Sequence, residues 1–470
     1  MRTSAALFCL CFLPSAISDA APAEVLAEGQ GSHRLPCRLE VVEVGTGWPV
    51  PLVQLRTTHN VSFVTDNAGL VAFDLPELMG REVWFEIEGQ GYEVKPDGFG
   101  NRGVRLTPIP GKTLRIEVER KIIAKRLGRL TGAGIFAESQ KLGLENSWRE
   151  SGVLGCDSVQ NAIHNGQLFW LWGDTTLARY PLGIFNSTGA LSDIQPLKAF
   201  EPPLKLPLRL YIDNKGAPRG IANIPGDGPT WPSGVVSLPD RQGQSRLVAT
   251  YAKITPPLDA YECGLTLWNE KTSTFEPLAV LWRKSTGQPK PAPMPDGHAA
   301  FWTSPGGEKF VLFGNPFPTL QCPATFEAWQ DTNSWKAMVP QKELSAPDGS
   351  VVKPHSGSIA YNGFRKRWVT VFMESFGKPS AFGELWYAEA NLPTGPWGKA
   401  VKVLSHQHYT FYNPRLHLEF VSENSSVLLF EGTYTLQFSD AKQATPRYDY
   451  NQILYRLDLD DPALAPAQRR

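Results

Sequence analysis

The sequence predicts an all-β protein in which an N-terminal β-sandwich precedes a five-bladed β-propeller. Three observations carry this expectation. The 470-residue chain holds 42 Gly and 40 Pro without a Gly-X-Y period, which suits a turn-rich β-protein. Short strand-like runs follow one another through the first quarter of the chain, separated by turn residues. Beyond them, an apolar strand that stops on a polar residue recurs five times between Gly166 and Gly432. Self-similarity at a period of tens of residues marks a repeat architecture.

Residues 1–20 read as an export signal. Arg2 supplies the positive end, residues 5–13 the apolar stretch, and Ser18-Asp19-Ala20 a small-x-small cleavage site. That apolar run is too short to cross a bilayer, and no later segment reaches the needed length. The expected product is soluble, with no membrane insertion, and secreted, periplasmic or held at the cell surface.

Residues 33–120 form the expected sandwich, with runs at 38–44, 52–57, 61–65, 70–75, 83–88, 103–107 and 114–118. Residues 121–151 read as a basic, partly helical linker in which Ile122, Ile123 and Leu127 stand at helix-compatible spacing. The glycines of Thr131-Gly-Ala-Gly134 end any helix there. This Gly-x-Gly lacks the following helix and Lys-Ser/Thr of a nucleotide loop, so it reads as a hinge.

The propeller is expected over 152–461, with 462–470 a disordered tail. Its second strands are Leu168-Phe-Trp-Leu-Trp-Gly-Asp174, Arg246-Leu-Val-Ala-Thr-Tyr-Ala252, Lys309-Phe-Val-Leu-Phe-Gly-Asn315, Trp368-Val-Thr-Val-Phe-Met-Glu374 and Ser426-Val-Leu-Leu-Phe-Glu431. First strands are expected to begin near Asp157, Ser233, His298, Ser356 and Arg415. Third strands follow at 183–191, 264–268, 325–329, 384–388 and 451–457, with outer strands at 275–282 and 399–404. Blades of this kind bury both faces of each sheet.

Lys+Arg and Asp+Glu both number 46. No basic stripe is evident, which argues against a nucleic-acid partner. Removal of the signal leaves Cys37, Cys156, Cys263 and Cys322. An exported chain permits disulfides, and Cys263 with Cys322 is the favoured pair because both precede third strands of neighbouring repeats. Buried free thiols are the alternative.

Propeller geometry brings the starts of first strands, the ends of second strands and the starts of third strands to one face. That face is expected to receive Asp157, Asp174, Glu262, Glu374, Glu384 and Glu431, with His298, His355 and Arg415. Trp231, Tyr261, Tyr412 and Tyr450 stand beside them. Carboxylates flanked by aromatics describe a carbohydrate cleft. Glycoside hydrolysis needs two carboxyl groups in different protonation states, and crowded carboxylates separate their pKa values. Asp157 is the expected base or nucleophile, Glu374 the general acid, and Glu431 a third catalytic candidate. Asp174, Glu262, His298, His355, Arg415, Trp231 and Tyr412 are the expected substrate-binding and pKa-tuning groups. No His-x-x-x-His or Cys-x-x-Cys spacing calls for a metal, no cofactor motif is present, and no Gly-x-Ser-x-Gly elbow occurs.

Two resemblances accompany these readings. Gly47-Trp-Pro-Val-Pro-Leu-Val-Gln-Leu, Val64-Thr-Asp66-Asn-Ala-Gly69-Leu-Val-Ala-Phe and Gly91-Tyr92 together resemble the transthyretin-like domain of the carboxypeptidase regulatory type. This implies an accessory scaffold without chemistry. Residues 152–461 resemble the five-bladed propeller glycosidases (arabinanases, xylosidases and invertase-type enzymes). The segment from Asp157-Ser to Gly173-Asp174-Thr is similar to the opening blade of a propeller family that contains endo-D-arabinanases. The resemblance implies that Asp157 is the base or nucleophile. The acid that it implies, a Glu of blade three, has no counterpart here, because His298 and Asn315 fill those slots and Glu308 and Glu327 fit the rim poorly. A secreted hydrolase acting on a polysaccharide is therefore the leading expectation. A non-catalytic glycan- or partner-binding propeller and a polysaccharide lyase are the alternatives.

Overall fold

The computed structural model describes residues 35–178, 180–184 and 187–468, so the expected export signal lies outside the described residues. Among them, no helix is long and apolar enough to cross a membrane. In the N-terminal unit the expected sandwich is joined into one hydrogen-bonded path. It runs Ser62–Val64, Val53–Thr57, Val83–Gly89, Tyr92–Glu93, Thr113–Arg120, Cys37–Glu43 and Leu70–Phe73, with Gly103–Leu106 beside Val83–Gly89. Every second residue of Val53–Thr57 is buried, the period of a strand with one face on a core. The ends of the path meet where the Phe63 and Phe73 rings lie 5.3 Å apart, and the curled sheet encloses Leu39, Val41, Leu55, Phe85, Ile116 and Val118.

Five four-stranded antiparallel sheets follow. Blade one comprises Val159–His164, Gln167–Trp172, Thr188–Ser192 and Arg209–Leu210, and blade two Thr230–Pro239, Ser245–Thr255, Asp259–Asn269 and Thr274–Arg283. Blade three comprises His298–Thr303, Lys309–Gly314, Pro318–Pro323 and Lys336–Ala337, and blade four Pro354–Asn362, Arg367–Glu374, Glu384–Ala390 and Val401–Ser405. In blade five, Thr410–Leu416, Val427–Thr435 and Asn451–Asp458 are completed by Lys125–Arg129. The inner strands neighbour one another in cyclic order, and the last returns to the first. Apolar side chains fill the space between blades, as where Phe169 of blade one meets Trp268 and Phe275 of blade two edge-on, at 4.9 and 5.9 Å.

Several expectations change. Residues 125–129, placed in the linker, are the outer strand of blade five, and Ala137–Lys141 is a helix that packs on Leu70–Phe73 of the N-terminal sheet. Residues 325–329, expected as a third strand, are instead occupied by the helix Phe326–Gln330, because Thr325 caps it by accepting from the Ala328 amide at 3.3 Å. The strand is Pro318–Pro323. Residues 462–467 form a 3-10 turn with Leu464 and Ala467 buried, so this part of the expected tail is packed. Cys263 and Cys322 are buried free thiols, as are Cys37 and Cys156.

The Thr65-Asp66-Asn67 step fastens the two halves together. Asn67 Nδ2 donates to the carbonyls of Arg129 and Leu204 at 3.0 and 3.1 Å, while its Oδ1 accepts from the Arg129 amide at 2.9 Å. Asp66 Oδ2 accepts from the amide and hydroxyl of Ser139, both at 2.7 Å. The approach is close enough that a Cβ on Gly128 would lie 2.7 Å from Asn67 Cγ.

Candidate active site

A two-residue turn sets the chemistry of blade one. Asn165 and Gly166 both adopt positive φ, 49° and 79°, which is the type I′ geometry favoured by Asn-Gly in hairpins. This turn fixes the register of the strands that leave it: His164 opposes Gln167 and Val159 opposes Trp172. Beyond the end of the blade the same two chains pair again, with Cys156 opposite Thr175. The Asp157-Ser158 and Gly173-Asp174 segments between those pairs lie outside both ladders yet remain hydrogen-bonded to one another. The Asp157 amide donates to the Asp174 carbonyl at 2.9 Å, and the Gly173 amide to the Ser158 carbonyl at 3.1 Å. Gly173 is required there, since a Cβ would lie 2.9 Å from Asp157 Cβ.

The two carboxyl groups have different surroundings. Asp157 Oδ1 accepts from the Tyr412 hydroxyl, from the Ser158 amide and from the Ser158 hydroxyl at 2.8 Å. The Tyr450 hydroxyl also bonds to Asp157, and Gln452 Nε2 holds its carbonyl at 2.8 Å. Burial, and then Asp157 beside it, raises Tyr412 well above the usual phenol range, so its hydroxyl keeps its proton and donates. Asp174 has no such set of donors. Its Oδ1 is buried and has no hydrogen-bond partner. Burial, followed by the neighbouring Asp157, pushes Asp174 up to about 6, against a smaller opposing effect of the Trp231 indole.

Both carboxyl groups line a cleft of about 640 Å³. Trp231, Tyr251, Ala252, Asn315, Tyr412 and Asn413 form much of its wall, and Lys290 brings a positive charge. His298 stands at its floor. Burial, then Arg415 and His417, depress His298 to about 3, so it is neutral. Sequence reasoning missed Asp296, an exposed third carboxyl group in the cleft that accepts from Thr250 Oγ1 at 2.8 Å. It stands two residues before the inner strand of blade three, as Asp157 does before that of blade one. That shared position was the available signal.

Of the sequence-predicted residues, the cleft gathers Asp157, Asp174, Trp231, His298 and Tyr412. It does not gather Glu374, Glu431, Glu262, His355 or Arg415. Glu374 accepts from the Trp386 indole at 2.9 Å on blade four, whose residues do not line the cleft. Glu262 is held by Tyr251 and Arg283, each at 2.7 Å, and Glu384 is buried against Lys402 at 2.7 Å. His355 packs edge-on to Phe382 at 5.3 Å.

Glu431 and Arg415 depart because blade five is longer than its sequence pattern suggested. Its inner strand begins at Thr410 and its second strand continues to Thr435. Glu431 therefore sits mid-strand, fully buried and 2.7 Å from His417 Nε2. Arg415 pairs with Glu419 at 2.8 Å, near the channel's other mouth, which Ile163, Phe301 and Tyr361 line. Burial opposes ionisation of Glu419, but Arg415 and His417 more than offset it and bring Glu419 down to about 2. Burial would likewise depress His417, yet Glu431 and Glu419 outweigh it and raise this imidazole. Among the described residues, no cluster of three or more His, Cys, Asp or Glu is arranged to hold a metal.

No known family profile matches the sequence, and no curated protein does. Solved structures are similar in fold. An exo-1,5-alpha-L-arabinanase from a bovine ruminal metagenomic library is 11% identical, with 66% of this chain and 94% of that chain covered and a TM-score of 0.38. A GH43 endo-arabinanase from Bacillus licheniformis is 12% identical over 66% of this chain and 95% of its own, with a TM-score of 0.35. An N-acetylgalactosamine deacetylase from F. plautii, in complex with blood group B trisaccharide, is 9% identical over 66% and 91%, with a TM-score of 0.37.

Proposed function

We propose that the protein is an exported glycoside hydrolase that cleaves a polysaccharide in the blade-one cleft. Asp174 serves as general acid and Asp157 as the base or nucleophile. The observation that carries this reading is the pair of neighbouring carboxyl groups in the cleft, Asp157 and Asp174, of which the second is held up to about 6. An acid must hold its proton near the working pH and then give it up. Trp231 and Tyr412 offer aromatic surface to the sugar. Export rests on the pattern of residues 1–20.

The test is sugar release from arabinan, xylan and galactan. Asp157→Asn is expected to lower kcat by about a thousandfold or more without loss of folded structure, and nuclear magnetic resonance of the first product separates a nucleophile (configuration retained) from a base (configuration inverted). Undiminished cleavage by Asp157→Asn would refute the assignment. Glycan binding by the parent protein with no release of sugar would leave a binding propeller instead.

A further inference from the structure

The blade-four part of the upper face carries an aromatic feature that the cleft does not use. Phe376 follows the second strand of blade four and is 76% exposed, with φ of 56°. A bulky residue held in the left-handed region is a costly arrangement. Its ring lies 5.3 Å from that of Phe382, which in turn lies 5.3 Å from His355.

The loop is firmly built. The Gly377 amide donates to the Ala381 carbonyl at 3.1 Å, and the Ser380 amide to Glu384 at 3.3 Å. Lys402 Nζ donates to the Lys378 carbonyl at 2.9 Å. Glu374 lies beneath, so close that a Cβ on Gly377 would fall 2.8 Å from its Oε2. The loop is also continuous with the cleft. The Phe382 carbonyl accepts from the Phe411 amide at 2.8 Å, one residue before Tyr412, and Ser356 Oγ accepts from the Asn413 amide at 3.1 Å, one residue after it.

We propose that Phe376, Phe382 and His355 form a saccharide-binding platform over which a polysaccharide chain leaves the cleft. The inference rests on the hydrolase reading above and adds an extended, chain-binding substrate to it. The C–H face of a sugar ring is electropositive and packs against the negative face of an aromatic ring, while His355 offers ring nitrogens to hydroxyls. A rigid loop that presents exposed rings binds without first having to order itself. The corresponding loop of blade five repeats the device in Phe438, 70% exposed with φ of 60°.

The experiment uses the full chain carrying Asp157→Asn, titrated calorimetrically with arabinan, xylan and galactan oligosaccharides of two to eight units. Affinity is expected to rise with length, and adding Phe376→Ala should weaken binding of the longest oligosaccharide about five- to tenfold while leaving the disaccharide unchanged. Equal affinities with and without Phe376→Ala at every length would overturn the platform, as would failure of every oligosaccharide to bind. The two readings separate. Unchanged binding in Phe376→Ala, with cleavage abolished by Asp157→Asn, removes only the platform. Cleavage that persists in Asp157→Asn, with length-dependent binding still lost in Phe376→Ala, removes only the hydrolase assignment.

Discussion

In blade one the second strand stops at Trp172 and Asp174 turns into the cleft, whereas in blade five the second strand runs on through Glu431 to Thr435. Both carboxyl groups close the same apolar run in sequence. Asp174 stands beside another carboxyl group and keeps an oxygen without a donor. Glu431 meets an imidazole at 2.7 Å and is sealed from solvent. A carboxylate at the end of a repeated strand is thus available for proton transfer only where the strand stops early and no cation answers it. The same contrast divides the ring. Asp174, Ala252 and Asn315 of blades one to three reach the cleft, and Glu374 and Glu431 of blades four and five do not.

The sharpest way to break this comparison is kinetic. Asp174→Asn removes the proton donor and should lower kcat/KM about 10²–10⁴-fold, while Glu374→Gln should stay within about twofold of the parent. The pH profile gives an independent reading. A general acid with a pKa of about 6 makes activity fall as pH rises past that value, and the residual activity of Asp174→Asn should lose that limb. A Glu374→Gln variant as impaired as Asp174→Asn would return the acid to blade four.

A smaller effect of another kind is expected in blade five. Glu431→Ala leaves His417, already raised by its partners, without its closest carboxylate in a site closed to water. Removing one member of a buried pair costs about 3–5 kcal/mol. Urea unfolding should therefore show a lower midpoint, with the kcat of the protein that remains folded little changed. A neutral effect on stability would mean that the buried pair carries no structural load.

Much of this contrast was legible in the residues. The repeated apolar runs placed the second strands correctly in all five blades, because a strand buried on both faces needs a continuous apolar sequence. That Asp157 and Asp174 share a face was legible too, since Asn165-Gly166 fixes a two-residue turn and both residues follow the far ends of the two strands that leave it. Glu374 was expected as the acid because blade three offers His298 and Asn315, and no Glu, in the slots the resemblance gives to it. The length of blade five was not legible. Gly432-Thr-Tyr-Thr435 reads as a loop until Thr410–Leu416 pairs with it, and that pairing is long-range. The partners of Asp66 and Asn67, at Arg129, Ser139 and Leu204, were not legible either, because they are distant in sequence.

The smallest effect tests the electrostatic half of the comparison without any substrate. Asp174 titrates at 3.8 in the unfolded chain and at about 6 in the folded one. Below 3.8 both states hold the proton. Between the two values the folded state holds it while the unfolded state releases it, so the raised pKa favours folding at low pH and that contribution is lost as pH rises through about 6. Asparagine carries no such loss. Asp174→Asn should therefore gain stability relative to the parent between pH 4 and pH 7, by about 1 kcal/mol once solvent screening at this partly exposed site is allowed for. That is a rise of about 1–3 °C in Tm at pH 7. Glu431→Ala should show the opposite sign at both pH values. A variant made more stable by losing the group its activity requires would be strained for function; equal Tm values for Asp174→Asn and the parent at pH 7 would mean that Asp157 and the cleft walls do not raise Asp174.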